Sequence, residues 1–105
     1  MVINRNKIIE ELKSLLKKLD ISGIPIKTAY LFGSYARGNP GKWSDIDLLL
    51  VSDNFSGIRF NDIEKLIPLL RGYNNLIELH PLKSEEFDIN DLFIKEVVET
   101  GIRIR

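Results

Sequence analysis

A glycine-bounded turn set between two β-rich apolar runs constrains this chain more than any other feature in it. Ile26 to Phe32 is apolar and rich in β-branched and aromatic residues, as expected of a strand entering a core, and Gly33 ends it. Asp45-Ile46-Asp47-Leu48-Leu49-Leu50-Val51 alternates polar and apolar at its start and is continuously apolar afterwards. That is the pattern of a central strand, beginning near Ser44, whose leading end faces solvent or ligand. Too few residues join the two runs for a crossover, so they are predicted to be antiparallel neighbours. Between them Ser34 to Arg37 suits one helical turn, closed by Gly38 and the Asn39-Pro40-Gly41 turn signal.

The remaining elements follow from periodicity. Ile8, Ile9, Leu12, Leu15, Leu16 and Leu19 recur at helical spacing among Lys and Glu residues, with Asn4 or Asn6 as the N-cap and Gly23 and Pro25 as the stop. A second amphipathic helix carries Ile63, Leu66, Ile67 and Leu70, capped by Asn61 or Asp62, with Pro68 expected to kink it. Leu76 to His80 is a third strand, and its helical connection predicts that it runs parallel to the second. Ser84 to Phe87 forms a short turn, Asn90 caps a last helix running through Val98, and Ile102 to Ile104 forms an edge strand. The prediction is one α/β (α+β) domain spanning residues 1–105, a small mixed sheet of three to four strands with flanking helices.

Composition narrows the function. At 105 residues there is room for one compact domain, so anything beyond a small site must be supplied by another molecule. Fifteen Lys and Arg balance 15 Asp and Glu, so no overall field draws the protein to nucleic acid or to an anionic membrane. The absence of cysteine excludes disulfides and thiolate metal sites. No apolar run approaches the roughly 20 residues of a membrane span, so a soluble, cytoplasmic protein is expected.

The chemistry concentrates at the turn and the second strand. Asp45 and Asp47 are two apart, so in a strand they share one face while Ile46 points into the core. Two acids so placed repel unless a cation bridges them. Glu78 is the one acid within Leu76 to His80, and parallel pairing of the second and third strands brings it beside the aspartates. Gly33 and Ser34 lie where a strand turns into a helical start, a corner whose free N–H groups and hydroxyl suit phosphate oxygens. Arg37, three residues past Ser34, lies on the same side and is expected to contact phosphate or to brace the turn. His80 shares a strand face with Glu78, although a half-buried structural role is the commoner fate of such a histidine. Lys42 and Trp43 precede the aspartates, with phosphate contact and base stacking as their functional readings.

The pattern Gly33-Ser34-x-Ala36-Arg37-Gly38 followed by Ser44-Asp45-x-Asp47-Leu48 resembles the signature of the DNA polymerase β-like nucleotidyltransferases. The similarity is strongest to the minimal nucleotidyltransferases that accompany HEPN-domain proteins in toxin–antitoxin pairs. The resemblance implies a polymerase β-like core, ATP as substrate and two Mg2+ ions held by Asp45, Asp47 and Glu78. It further implies phosphate binding at Gly33, Ser34 and Arg37, with Glu78 accepting the proton of the attacking hydroxyl. In that family the third position is commonly Asp, and Glu is one methylene longer. The implied activity is AMP transfer to a hydroxyl of a partner, a tyrosine of a helical HEPN-domain toxin encoded nearby, with the chain acting as antitoxin. Other functions compatible with the same core are a non-catalytic module that neutralises such a partner by occlusion, and a transferase acting on a small molecule or an RNA end. Homo- or hetero-oligomers are both compatible with it.

Overall fold

The computed structural model describes residues 4–41 and 44–105. It begins with helix α1, Arg5–Ile21, capped by Asn4, whose side chain accepts from the Asn6 N–H at 2.8 Å. Five of the residues predicted for its apolar face, Ile8, Leu12, Leu15, Leu16 and Leu19, are buried. Burying each contributes roughly 1.5–3 kcal/mol of gross transfer free energy. Strand β1, Thr28–Phe32, leads through Gly33 into α2, a single turn at Ser34–Arg37 that Gly38 closes in the left-handed region. Strand β2, Ile46–Val51, starts two residues later than Ser44.

Helix α3, Arg59–Leu66, corrects one boundary. Ile58, not Asn61 or Asp62, is its N-cap, and Asp62 lies inside the first turn. Fully buried, the Asp62 carboxylate reaches back to accept from the Ser56 and Gly57 N–H groups at 2.8 and 3.1 Å and from the Ser56 hydroxyl at 3.0 Å. The helix thus closes the preceding loop onto itself from within. Pro68 acts as expected: the α-helix gives way to a 3-10 turn at Ile67–Leu70.

Strand β3, Ile77–Leu82, runs two residues past His80 and through Pro81. An edge position permits this, since one side of an edge strand needs no N–H donor. A 3-10 turn at Ser84–Glu86 precedes helix α4, Leu92–Thr100. Its N-cap is Asp91 in place of Asn90, accepting from the Phe93 and Ile94 N–H groups at 2.8 and 3.2 Å. Strand β4, Ile102–Arg103, pairs antiparallel with β1.

The sheet order is β3-β2-β1-β4, with β1 and β2 antiparallel and β2 and β3 parallel, as their connections predict. Alternation divides its two faces. Ala29, Leu31, Ile46, Leu48, Leu50, Ile77 and Leu79 face the main core under α1, joined by Tyr35 and Leu66. On the opposite face Tyr30 and Leu49 pack with Ile94 and Val97 of α4, next to Phe32 and Leu82. Toward the start of β2 that second face turns polar. Among the described residues no helix is long and apolar enough to cross a membrane.

Candidate active site

Register builds the polar end. Phe32 of β1 is paired with Asp47, and Asp47 in turn with Glu78 across the parallel β2–β3 ladder. Period-2 alternation puts Asp47, Glu78 and His80 on the same face, while Ile46, Leu48, Ile77 and Leu79 point into the main core. The His80 Nε2 lies 3.2 Å from Asp47 Oδ1 and 4.0 Å from Glu78 Oε1. These three residues offer ligand atoms all within 4.8 Å of one another. The imidazole is itself set by an edge-on contact with the Phe32 ring, centroids 4.9 Å apart, and Phe32 is set in the same way against Phe93 of α4 at 5.5 Å.

Gly33 is bound to this group by space as well as by conformation. Its φ is +78°, and a Cβ there would lie 2.5 Å from Asp47 Oδ2. The carboxylate therefore occupies volume that any other residue at 33 would claim. Immediately after it the chain enters α2, whose leading N–H groups have no acceptor within the helix. Gly33, at the head of this turn, thus stands beside Asp47. Arg37 is exposed and lines a cavity of 210 Å³ between Gly33 and the Phe93–Glu96 side of α4. The N-terminus of α1 steadies the turn from the other side, with the Arg5 guanidinium donating to the Ala36 carbonyl at 3.3 Å.

Asp45 behaves differently from expectation. It is exposed, precedes the first ladder residue, and is not among the three clustered ligands. The β2–β3 contacts begin after it, where the Ile46 N–H bonds the Leu76 carbonyl at 2.8 Å, so no neighbouring strand presses its side chain against the others. Ser44 anchors the approach, its hydroxyl accepting from the Gly41 N–H at 2.7 Å. Lys42 and Trp43 lie outside the described residues.

His80, which the sequence places on the face of Glu78 with either a structural role or a nucleotide or acceptor contact, stands within the acidic group. Arg59, the first residue of α3, approaches Glu78 Oε1 to 3.9 Å with both side chains about half exposed, a weakly held pair. No sequence pattern announces it, because its placement depends on how α3 crosses from β2 to β3.

The donor set suits a divalent cation: two carboxylates and an imidazole at short mutual range, beside a turn with unpaired N–H donors. The Nucleotidyltransferase domain family matches residues 5–104 of the sequence. The chain belongs to this family. It is 32% identical over 100 residues to a candidate protein adenylyltransferase of Methanocaldococcus jannaschii, covering 91% of this chain and 96% of that protein. Its fold is similar to the crystal structure of a candidate nucleotidyltransferase from Sulfolobus solfataricus, with a TM-score of 0.66, 22% identity and coverage of 94% of this chain and 80% of that one. It is also similar to the toxin–antitoxin pair MntA-HpeT in mutant form, at a TM-score of 0.52 and 24% identity over 98% of this chain and 73% of that one. A toxin–antitoxin structure with AMP-PNP gives the same values. The family, the mixed sheet with flanking helices and the nucleotidyltransferase activity expected from the sequence are all borne out.

Proposed function

We propose that this nucleotidyltransferase moves AMP from ATP onto a hydroxyl of a partner protein, a tyrosine of a HEPN-domain toxin, and thereby acts as an antitoxin. The observation that carries the reading is the in-register pairing of Asp47 with Glu78 beside the Gly33–Ser34 turn. The relative named for protein adenylyltransfer and the toxin–antitoxin neighbour with an ATP analogue support the nucleotide, the acceptor class and the partner.

In this reading Gly33 and Ser34 hold the β- and γ-phosphates through N–H and hydroxyl donors, and Arg37 adds positive charge beside them. Asp47 and Glu78 would hold Mg2+, with Asp45, exposed just ahead of β2, as a further carboxylate for a second ion; when bound, such ions would neutralise the charge on the triphosphate and on the attacking oxygen. Glu78 accepts the proton of the acceptor hydroxyl. The acceptor oxygen then forms its bond to the α-phosphorus as the bond from that phosphorus to the bridging oxygen breaks, and pyrophosphate leaves on the Gly33–Ser34 side.

Labelled ATP, Mg2+, the purified protein and the helical protein encoded beside it provide the test. Label should enter the partner, and Asp47→Asn should reduce the rate by about 10³-fold, in the range of losses seen when a group acting directly on the transition state is removed. Equal labelling with Asp47→Asn would end the catalytic reading. Full neutralisation of the partner in cells by that same variant would favour occlusion instead.

A further inference from the structure

The geometry points to His80 as a nitrogen ligand of the ion held by Asp47 and Glu78, giving this site a preference for first-row transition-metal dications such as Mn2+ over Mg2+. This rests on the reading of Asp47 and Glu78 as metal carboxylates and goes beyond it by adding a ligand type that a purely carboxylate site lacks.

The distances carry the inference. Ligands about 2.1 Å from an octahedral ion stand about 3 Å apart when adjacent and about 4.2 Å apart when opposite. The His80 Nε2 is 3.2 Å from Asp47 Oδ1 and 4.0 Å from Glu78 Oε1, both within that span. A single ion can therefore be reached by all three side chains with small rotations. The ring is also aimed before any ion arrives, because the edge-on Phe32 contact and a side chain only 21% exposed limit its swing. The same nitrogen is within hydrogen-bond distance of Asp47 Oδ1, a contact that a bound ion would replace by ligation.

Chemistry then sets the preference. Mg2+ favours oxygen ligands in strict octahedral geometry and keeps several waters, whereas divalent transition ions accept imidazole nitrogen more readily, Mn2+ least among them but still more than Mg2+. A mixed set of two carboxylates and one imidazole therefore lowers the relative standing of Mg2+.

Mn2+ itself is the probe. Electron spin-echo envelope modulation of Mn2+ added to the intact protein should show coupling to an imidazole 14N, and titration should show Mn2+ binding at least about 10-fold tighter than Mg2+. His80→Gln keeps a donor for Asp47 but loses the imidazole. It should abolish the 14N modulation and weaken Mn2+ by about 10-fold while changing Mg2+ by less than about 3-fold. His80→Ala, checked for folding by circular dichroism, should do the same. Mn2+ bound by Asp47 and Glu78 with no 14N modulation, or Mn2+ and Mg2+ weakened equally in His80→Gln, would overturn the inference and leave the carboxylate site standing. Failure of the wild-type protein to bind Mn2+ at all would overturn both.

Discussion

The two faces of the sheet are made from the same strands and put to opposite uses. In β2 every second residue, Ile46, Leu48 and Leu50, is fully buried beneath α1, while Asp47 between them stays partly open and meets Glu78 and His80. One face is packed along its whole length. The other is covered by α4 around Tyr30, Leu49 and Phe32, and past Phe32 the polar group begins. Adjacent positions in a strand can therefore be separated cleanly into those that hold the molecule together and those that act.

Substitutions on either side of that divide test it. Leu48→Ala should have the largest effect on stability, a loss of about 2–5 kcal/mol in chemical unfolding for a fully buried leucine, with AMP transfer per folded molecule retained. Loss of transfer per folded molecule in step with stability would show that the faces are not independent. Gly33→Ala comes next and acts on the site. The added carbon must displace the Asp47 carboxylate, so a rate loss of about 10–100-fold is expected, equivalent to about 1.4–2.7 kcal/mol. It also carries about 1 kcal/mol or more of destabilisation from the left-handed backbone. A fully active Gly33→Ala would mean that Asp47 has no need of its present place.

The smallest effect lies far from either face's specialised end. Asp20, at the end of α1, accepts from the Arg105 guanidinium at 2.9 Å and from the Ile26 N–H at 3.1 Å. The Arg105 hydrogen bond, chiefly, holds its carboxyl below the usual 3.8 despite some opposing desolvation. A depressed carboxylate pKa stabilises the fold above the unfolded value, and that stabilisation disappears as pH falls through the folded one. Asp20→Asn should thus cost about 1 kcal/mol or less at neutral pH, given how open the pair is to solvent, and the difference from wild type should disappear at acid pH once the folded-state carboxyl is protonated. A difference persisting there would assign the effect to something other than the ionised carboxylate.

Much of this was legible because a strand's period of two is rigid. Once Ile26–Phe32 and the run from Ser44 to Val51 are read as strands joined by a short turn, antiparallel pairing follows, and the α3 connection makes β3 parallel. Asp47 and Glu78 then had to meet. Asp45 was harder, because alternation holds only inside a ladder and pairing begins one residue after it. The caps of α3 and α4 were misplaced for a related reason. Asn90 and Asp91 both have capping side chains, and which one serves depends on backbone angles that neighbouring loops decide, while α3 begins at Arg59, ahead of both Asn61 and Asp62. His80 needed the packing of Phe32 to show where its nitrogen points.

Parallel pairing between β2 and β3 bears on the order in which the molecule assembles. The β1–β2 pair closes across a short local turn, whereas Asp47 and His80 are 33 residues apart along the chain and meet only after α3 has returned the backbone to the sheet. Contacts of greater sequence separation carry a larger loop-closure entropy and tend to form later. By this reasoning the glycine turn is expected to close before Asp47 and Glu78 are brought together beside it.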